Sequence, residues 1–196
     1  KRQGVSNPFT ISFAGIAANK VSAKTPGLKK GKTVTEKGRK KTLNGPSDYE
    51  LDLTQLPKEL RGKTRVDIVV TGELPSGERV VSKVPFRIKP LPTPFGSLDK
   101  RNPETVTKSE LKTSTVTATF GQDFDFDLPL RVQGFKITIE GEGSYLCEGS
   151  ELSGPAKRAI DRARRNSLVR VSEIRTRALG SSTEVNNALP ASFTLM

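Results

Sequence analysis

Residues 120–141 read FGQDFDFDLPLRVQGFKITIEG, and the spacing of their apolar side chains decides the fold class. Side chains alternate between the two faces of a strand. Phe124, Phe126, Leu128, Leu130 and Val132 therefore share one face, and Asp123, Asp125, Asp127 and Arg131 the other. After Gly134 the apolar positions become Phe135, Ile137 and Ile139, so even numbers give way to odd. A one-residue slip turns every side chain to the opposite face. A β-bulge or bend at Gly134 absorbs such a slip. The stretch 123–140 is read as one long bent strand or two strands in quick succession. A tight hairpin at Val132-Gln133 is the alternative, although those are poor turn residues.

Three aspartates in five residues invite a chemical reading. Glycoside hydrolysis needs two carboxyl groups facing each other across a cleft. A calcium loop needs its aspartates around a central glycine with a terminal glutamate. Neither context surrounds Asp123, Asp125 and Asp127. They read as a solvated or salt-bridged strand face, with a partner-binding edge as the sharper alternative.

Working outward, the 196 residues suffice for one large domain or two small ones. The chain has no His, which removes the usual general base, the Ser-His and Cys-His pairs and the commonest zinc ligand. Cys147 is the only cysteine, so no internal disulfide forms, and it reads as a buried, inert thiol. No phosphate-cradling glycine loop is present; GEGS at 141–144 reads as a turn. The expectation is a protein that is not an enzyme and carries no cofactor and no metal. No apolar run reaches the roughly 20 residues that span a bilayer. The first residue is Lys1, so the sequence is read as a piece of a longer chain with any membrane segment upstream.

The net charge of +12 is unevenly placed. Residues 1–90 carry 19 basic and 8 acidic side chains, a net of +11, whereas 91–196 carry 14 and 13, a net of +1. This asymmetry suggests two modules. In the first, spacing-two alternation at Phe9, Ile11, Phe13; at Tyr49, Leu51, Leu53; at Val66, Ile68, Val70; and at Val80, Val84, Phe86, Ile88 marks strands. Helical periodicity is absent there, and several short strands in ninety residues predict an immunoglobulin-like β-sandwich. Residues 20–41 hold nine Lys or Arg against Glu36, with three glycines and a proline, and predict an exposed hairpin or loop. Such a run is either a solvated basic face or a contact for an acidic protein, lipid headgroups or glycan. It is Lys-rich without aromatics, unlike nucleic-acid readers.

KPLPTPFG at 89–96 reads as a stiff extended connector, because proline fixes φ and cannot donate to a sheet. The module boundary is placed there, giving 1–90 and 91–196. In the second module 114–120, 168–177 and 191–196 carry further strand signals. SGPAKRAIDRARRNS predicts one short helix near 154–166, with Ser153 as N-cap, Pro155 in the first turn and an apolar stripe of Ala156, Ala159, Ile160 and Ala163. Lys157, Arg158, Arg162 and Arg165 lie mainly elsewhere around it. The predicted architecture is mainly β: two Ig-like, β-sandwich-like domains in tandem, the second with one short α-helix. Candidate partner-binding residues are the basic helix (Lys157, Arg158, Arg162, Arg165) and the aspartate face (Asp123, Asp125, Asp127), chosen for opposite charge and expected exposure.

Four stretches in order, GVSNPFTISFAGIAANKVSA at 4–23, VPFRIKPLPTP at 84–94, DFDFDLPLRVQGFKI at 123–137 and AIDRARRNSLVRVSEI at 159–174, resemble the C-terminal periplasmic part of the GldM/PorM family. That family serves gliding motility and type IX protein secretion in Bacteroidetes. The resemblance implies a fragment of an inner-membrane protein whose transmembrane helix and first periplasmic domains lie upstream. It implies a homodimeric shaft of β-rich domains in the periplasm, with 1–90 as the penultimate and 91–196 as the terminal domain. The shaft would link a proton-driven motor to a ring of outer-membrane lipoprotein and periplasmic partner. The Lys-rich insert around 24–41 departs from the family pattern. Two other readings stand beside this one. A carbohydrate-binding or adhesin-type sandwich would want an aromatic platform, for which only Tyr49 and Tyr145 and no Trp are available. A nucleic-acid binder is suggested by the +11 half alone, and no nucleic-acid partner is expected.

Overall fold

The computed structural model describes residues 4–36 and 39–196. The chain forms two compact units, one running to Leu91 and taking in Ser181–Thr183, the other comprising Pro92–Gly180 and Glu184–Met196.

In the first unit, alternation produces β1 (Ser6–Thr10), β2 (Val21–Lys24), β3 (Leu28–Lys30), β4 (Lys32–Glu36), β5 (Arg39–Leu43), β6 (Asp48–Asp52), β7 (Arg65–Glu73) and β8 (Arg79–Arg87). One antiparallel sheet has the order β1-β6-β3, another β2-β7-β8, and β4 pairs β5 as a hairpin. Phe9 and Ile11, Tyr49, Leu51 and Leu53, and Val66, Ile68 and Val70 meet in one core. Each fully buried Leu or Ile contributes roughly 1.5–3 kcal/mol. The alternations named from sequence all lie in or beside strands of these sheets.

The basic run, expected as an exposed hairpin or loop over 20–41, instead spans β2, β3 and the β4–β5 pair in three sheets, and only β4–β5 is a hairpin, with Lys37 and Gly38 outside the described residues. Its lysines need no external anion at three positions. Lys32 reaches Asp48 at 2.9 Å, Lys29 reaches Asp52 at 2.8 Å, and the Lys30 ammonium lies 4.1 Å above the Tyr49 ring. The Lys32 hydrogen bond holds the Asp48 carboxyl below its ordinary range. Burial alone would raise Asp52, but hydrogen bonds from Lys29 and Thr54 outweigh it and lower it.

The second unit contains β9 (Phe95–Leu98), β10 (Thr105–Val106), α1 (Lys108–Thr113), β11 (Val116–Thr119), β12 (Leu130–Ile139), β13 (Gly143–Glu148), α2 (Gly154–Arg162), β14 (Leu168–Ala178) and β15 (Ala191–Leu195). A five-stranded sheet runs β10-β15-β14-β12-β13, and β9 pairs β11 separately. Ile137, Ile139, Val169, Val171, Ile174, Phe193 and Leu195 point from the sheet into a core shared with Leu98, Val116, Ala156, Ala159 and Ile160. Helix α2 packs on β12 and β13, and α1 on α2. The protein is thus mainly β and sandwich-like, but the second unit has two helices, not one.

Three sequence expectations need correction. First, no ladder forms over 123–129, and the strand begins at Leu130. Burial still alternates there, with Phe124 and Phe126 half-buried and Asp123, Asp125 and Asp127 exposed. The segment turns rather than running straight: the Phe124 N–H donates to the Gly121 carbonyl at 3.0 Å, and the Leu128 N–H donates to the Phe126 carbonyl at 3.1 Å. It is held by ring contacts as well: Phe120 to Phe124 at 4.3 Å and Phe124 to Phe126 at 5.5 Å between centroids. Second, α2 stops at Arg162 instead of near 166. The Asn166 N–H donates to the Leu195 carbonyl and the Leu195 N–H to the Ser167 carbonyl, which commits 166–167 to β15. Third, Ser153 occupies the N-cap position but its hydroxyl makes no capping bond. Its Oγ lies 3.6 Å from Cys147 Sγ, and its N–H donates to that sulfur at 3.3 Å.

The irregularity expected at Gly134 is present, and it is double. Register against β14 shifts between Val132 and Gly134 and again between Gly134 and Lys136. The first shift adds a residue to β12 and the second adds one to β14, so the original register returns. Both strands change phase at the same place: Val132 and Thr176 are buried before the irregularity, Ile137 and Val171 after it.

Candidate partner-docking site

The basic and acidic candidates sit on different elements of the second unit. Helix α2 forms because its Ala156, Ala159 and Ile160 stripe is buried against the sheet while Pro155 fits the first turn. Arg158 and Arg162 are exposed on it, Lys157 is half-buried, and Arg165 is exposed in the turn beyond its end. Arg162 Nε donates to Glu142 Oε2 at 2.9 Å, an ion pair of the surface kind worth about 0–1 kcal/mol. Asp161, on the same helix, takes the Lys112 ammonium at 2.6 Å and leaves its carbonyl to Lys108 at 2.9 Å. Among the described residues no ion pair engages Arg158 or Arg165. Asp123, Asp125 and Asp127 are exposed on the turning segment before β12. The helix is thus bridged to Glu142, a partner the sequence reading did not name.

Sequence reading missed a second basic surface. The five-stranded sheet turns one face to the core and leaves the other open. On that open face Arg131 of β12 stands directly opposite Arg177 of β14. Like charges in direct cross-strand register are destabilising, on the scale of a few tenths of a kcal/mol. Arg175 follows two residues along β14, its Nη2 3.0 Å from Glu148 Oε1. Lys136 reaches Glu173 at 2.7 Å, and Arg170 lies opposite Thr138. Leu146 and Leu168 share this face and are 73% and 52% exposed. A cleft of about 310 Å³ opens among Leu146, Glu148, Glu173 and Arg175. The signal was present in LVRVSEIRTRA at 168–178, where Arg170, Arg175 and Arg177 alternate with residues that are buried.

Other chemistry is sparse. Cys147 is buried. Among the described residues, no group of three His, Cys, Asp or Glu side chains is placed to hold a metal ion. Among them also, no helix is long and apolar enough to cross a membrane.

Such an arrangement is that of a mainly β protein of two sheet-built units with charged surfaces. The chain belongs to the GldM family: the model of the GldM C-terminal domain matches residues 89–195. It is therefore a member of a family of gliding-motility and type IX secretion components, a family of non-catalytic structural type whose periplasmic domains belong to a membrane-anchored protein. No curated protein matches the chain. Among solved structures it is similar to the fibronectin(III)-like modules of Clostridium thermocellum CbhA, at 13% identity, over 100% of this chain and 86% of that one, with a TM-score of 0.28. A likeness that distant carries no argument about function.

Proposed function

We propose that this chain is a non-enzymatic, load-bearing part of a periplasmic shaft, working as a homodimer in the gliding and type IX secretion machinery. The upstream part of the protein would anchor it in the inner membrane and take up motion from a proton-driven motor. The terminal unit would dock a ring of outer-membrane lipoprotein and periplasmic partner. The observation that carries this reading is the family match over 89–195. The build of the units supports it: β7 and β8 pair over nine residues each, and β12 is paired on both sides by β13 and β14. Ladders of this length share load over many parallel hydrogen bonds.

Docking is assigned first to the charges on and beside α2, with Arg158 and Arg165 exposed, Lys157 half-buried and Arg162 paired with Glu142, and to Asp123, Asp125 and Asp127. Reversing Arg158 and Arg165 to Glu should weaken capture of the ring proteins at low salt. Undiminished capture removes the helix from the docking surface. Sedimentation equilibrium should give twice the chain mass of 21.3 kDa. A monomer at all concentrations would refute the shaft.

A further inference from the structure

The open face of the five-stranded sheet carries an arrangement that folding does not explain. Arg131 and Arg177 are held directly opposite each other, with Arg175 two residues further on. Opposed Cβ atoms stand about 4.5–5.5 Å apart, so the Arg131 and Arg177 side chains leave the sheet side by side, whereas the Arg175 guanidinium lies across Gly134 toward Glu148. Arg175 has Glu148 beside it, but among the described residues no carboxylate pairs with Arg131, Arg170 or Arg177. A surface that concentrates unpaired like charge is complementary to the opposite charge.

We infer that this face docks an acidic protein surface, with Arg131, Arg177 and Arg170 taking its carboxylates. The inference deepens, and rests on, the reading that the terminal unit binds a protein partner; it names the surface and the partner's chemistry. An arginine fork binds carboxylate and phosphate alike, so two other observations select a protein over lipid or nucleic acid. On the same face Leu146 stands exposed opposite Lys136 and Leu168 two residues before Arg170, and protein interfaces combine Arg with apolar contacts. The cleft of about 310 Å³ beside Leu146 and Arg175 can take a protruding side chain. The nearby pairs Lys136–Glu173 and Arg175–Glu148 are exposed, so incoming carboxylates can compete for their cations.

The test is a titration of the full 196-residue chain with labelled poly-L-glutamate at low salt, beside phosphatidylglycerol vesicles and duplex DNA. The triple variant Arg131→Gln/Arg170→Gln/Arg177→Gln should bind poly-L-glutamate at least about tenfold more weakly. Substituting Lys157, Arg158 and Arg165 by Gln, or Lys40 and Lys41 by Gln, should change it less than about twofold. If the triple variant fails to fold, Arg177→Gln alone should still weaken binding about threefold. Absence of binding, or binding untouched by the sheet-face variants, overturns the inference. So does tighter capture of vesicles or DNA than of poly-L-glutamate through the same arginines. Conversion of a dimer to monomer by the triple variant would make this face a self-interface and also overturn it. Loss of binding with the helix variant alone would leave the proposed docking function standing and sink only this face. A monomeric mass, conversely, would sink the shaft and leave this titration intact.

Discussion

Gly96 shows how little room a single position can leave. A Cβ built there lies 2.2 Å from Ile174 Cδ1 and 2.7 Å from the Leu189 carbonyl oxygen. The Ile174 tip can rotate, but the backbone oxygen is fixed by its hydrogen bond from the Gly96 N–H at 2.9 Å. Gly96→Ala should therefore cost about 1–3 kcal/mol, within the range of overpacking. For a unit of this size each kcal/mol lowers Tm by roughly 4–8 °C. An unchanged melting curve would show that β9 shifts freely. Asp99 is a second residue whose role is local. Its carboxyl accepts from the Thr115 N–H and hydroxyl, both at 2.9 Å, and these bonds, the N–H foremost, hold it below its ordinary value of 3.8. Glu110 is likewise held below 4.5 by the Thr107 N–H and hydroxyl. Carboxyls depressed in the folded state stabilise it above their unfolded values and lose that contribution as pH falls through the folded ones. Stability should be flat from neutral pH to about 5 and decline below about 4.5. Asp99→Asn should flatten the acid limb, and an identical limb in the variant would contradict the assignment.

At the scale of elements, α1 is short enough to depend on its cap. Thr107 Oγ1 accepts from the Glu110 N–H at 3.1 Å while Glu110 Oε2 accepts from the Thr107 N–H at 2.9 Å. Both bonds of a capping box are therefore made. Thr107→Ala should cost about 1 kcal/mol and raise hydrogen exchange over 108–113 before it affects β12. Uniform loss of protection across the unit would mean that α1 is not a separate, weaker element. This helix could have been read from TKSEL at 107–111, whose Thr-x-x-Glu spacing precedes a buried Leu. The phase change at Gly134 was legible, because an even-to-odd switch around a glycine has few other causes. Its counterpart in β14, where buried positions pass from Val171 to Ile174, was equally legible. Strand β13 was not: Gly-Ser-Tyr-Leu-Cys-Glu buries only Cys147, and its pairing with β12 is what makes it a strand. Over 123–129 the alternation of burial was right and the element wrong, since a turn at Gly121–Phe124 and a bend at Phe126 alternate burial there without a strand.

Across the whole molecule, composition limited the chemistry from the outset. The absence of His and the lone Cys147 pointed away from nucleophilic catalysis, and alternation, with helical periodicity confined to one short stretch near 154–166, pointed to β-sheet. Of the lysine-rich run only the β4–β5 hairpin was legible, not that β2 and β3 join other sheets or that Asp48, Asp52 and the Tyr49 ring take up three of its cations. Those partners lie 16 to 23 residues away, and only the pairing of β6 with β3 brings them alongside. Of the candidate site, the charges on α2 were visible because one helix displays them in one stretch of sequence. The sheet face was not, because Arg131 and Arg177 become neighbours only through strand pairing. The sequence by itself determined the β class, the charged character and the positions of most strands, since these follow from side-chain type and local period. Which charges face one another, which are neutralised and which face is left open were decided by the tertiary structure, because register and sheet order join residues that local sequence leaves far apart.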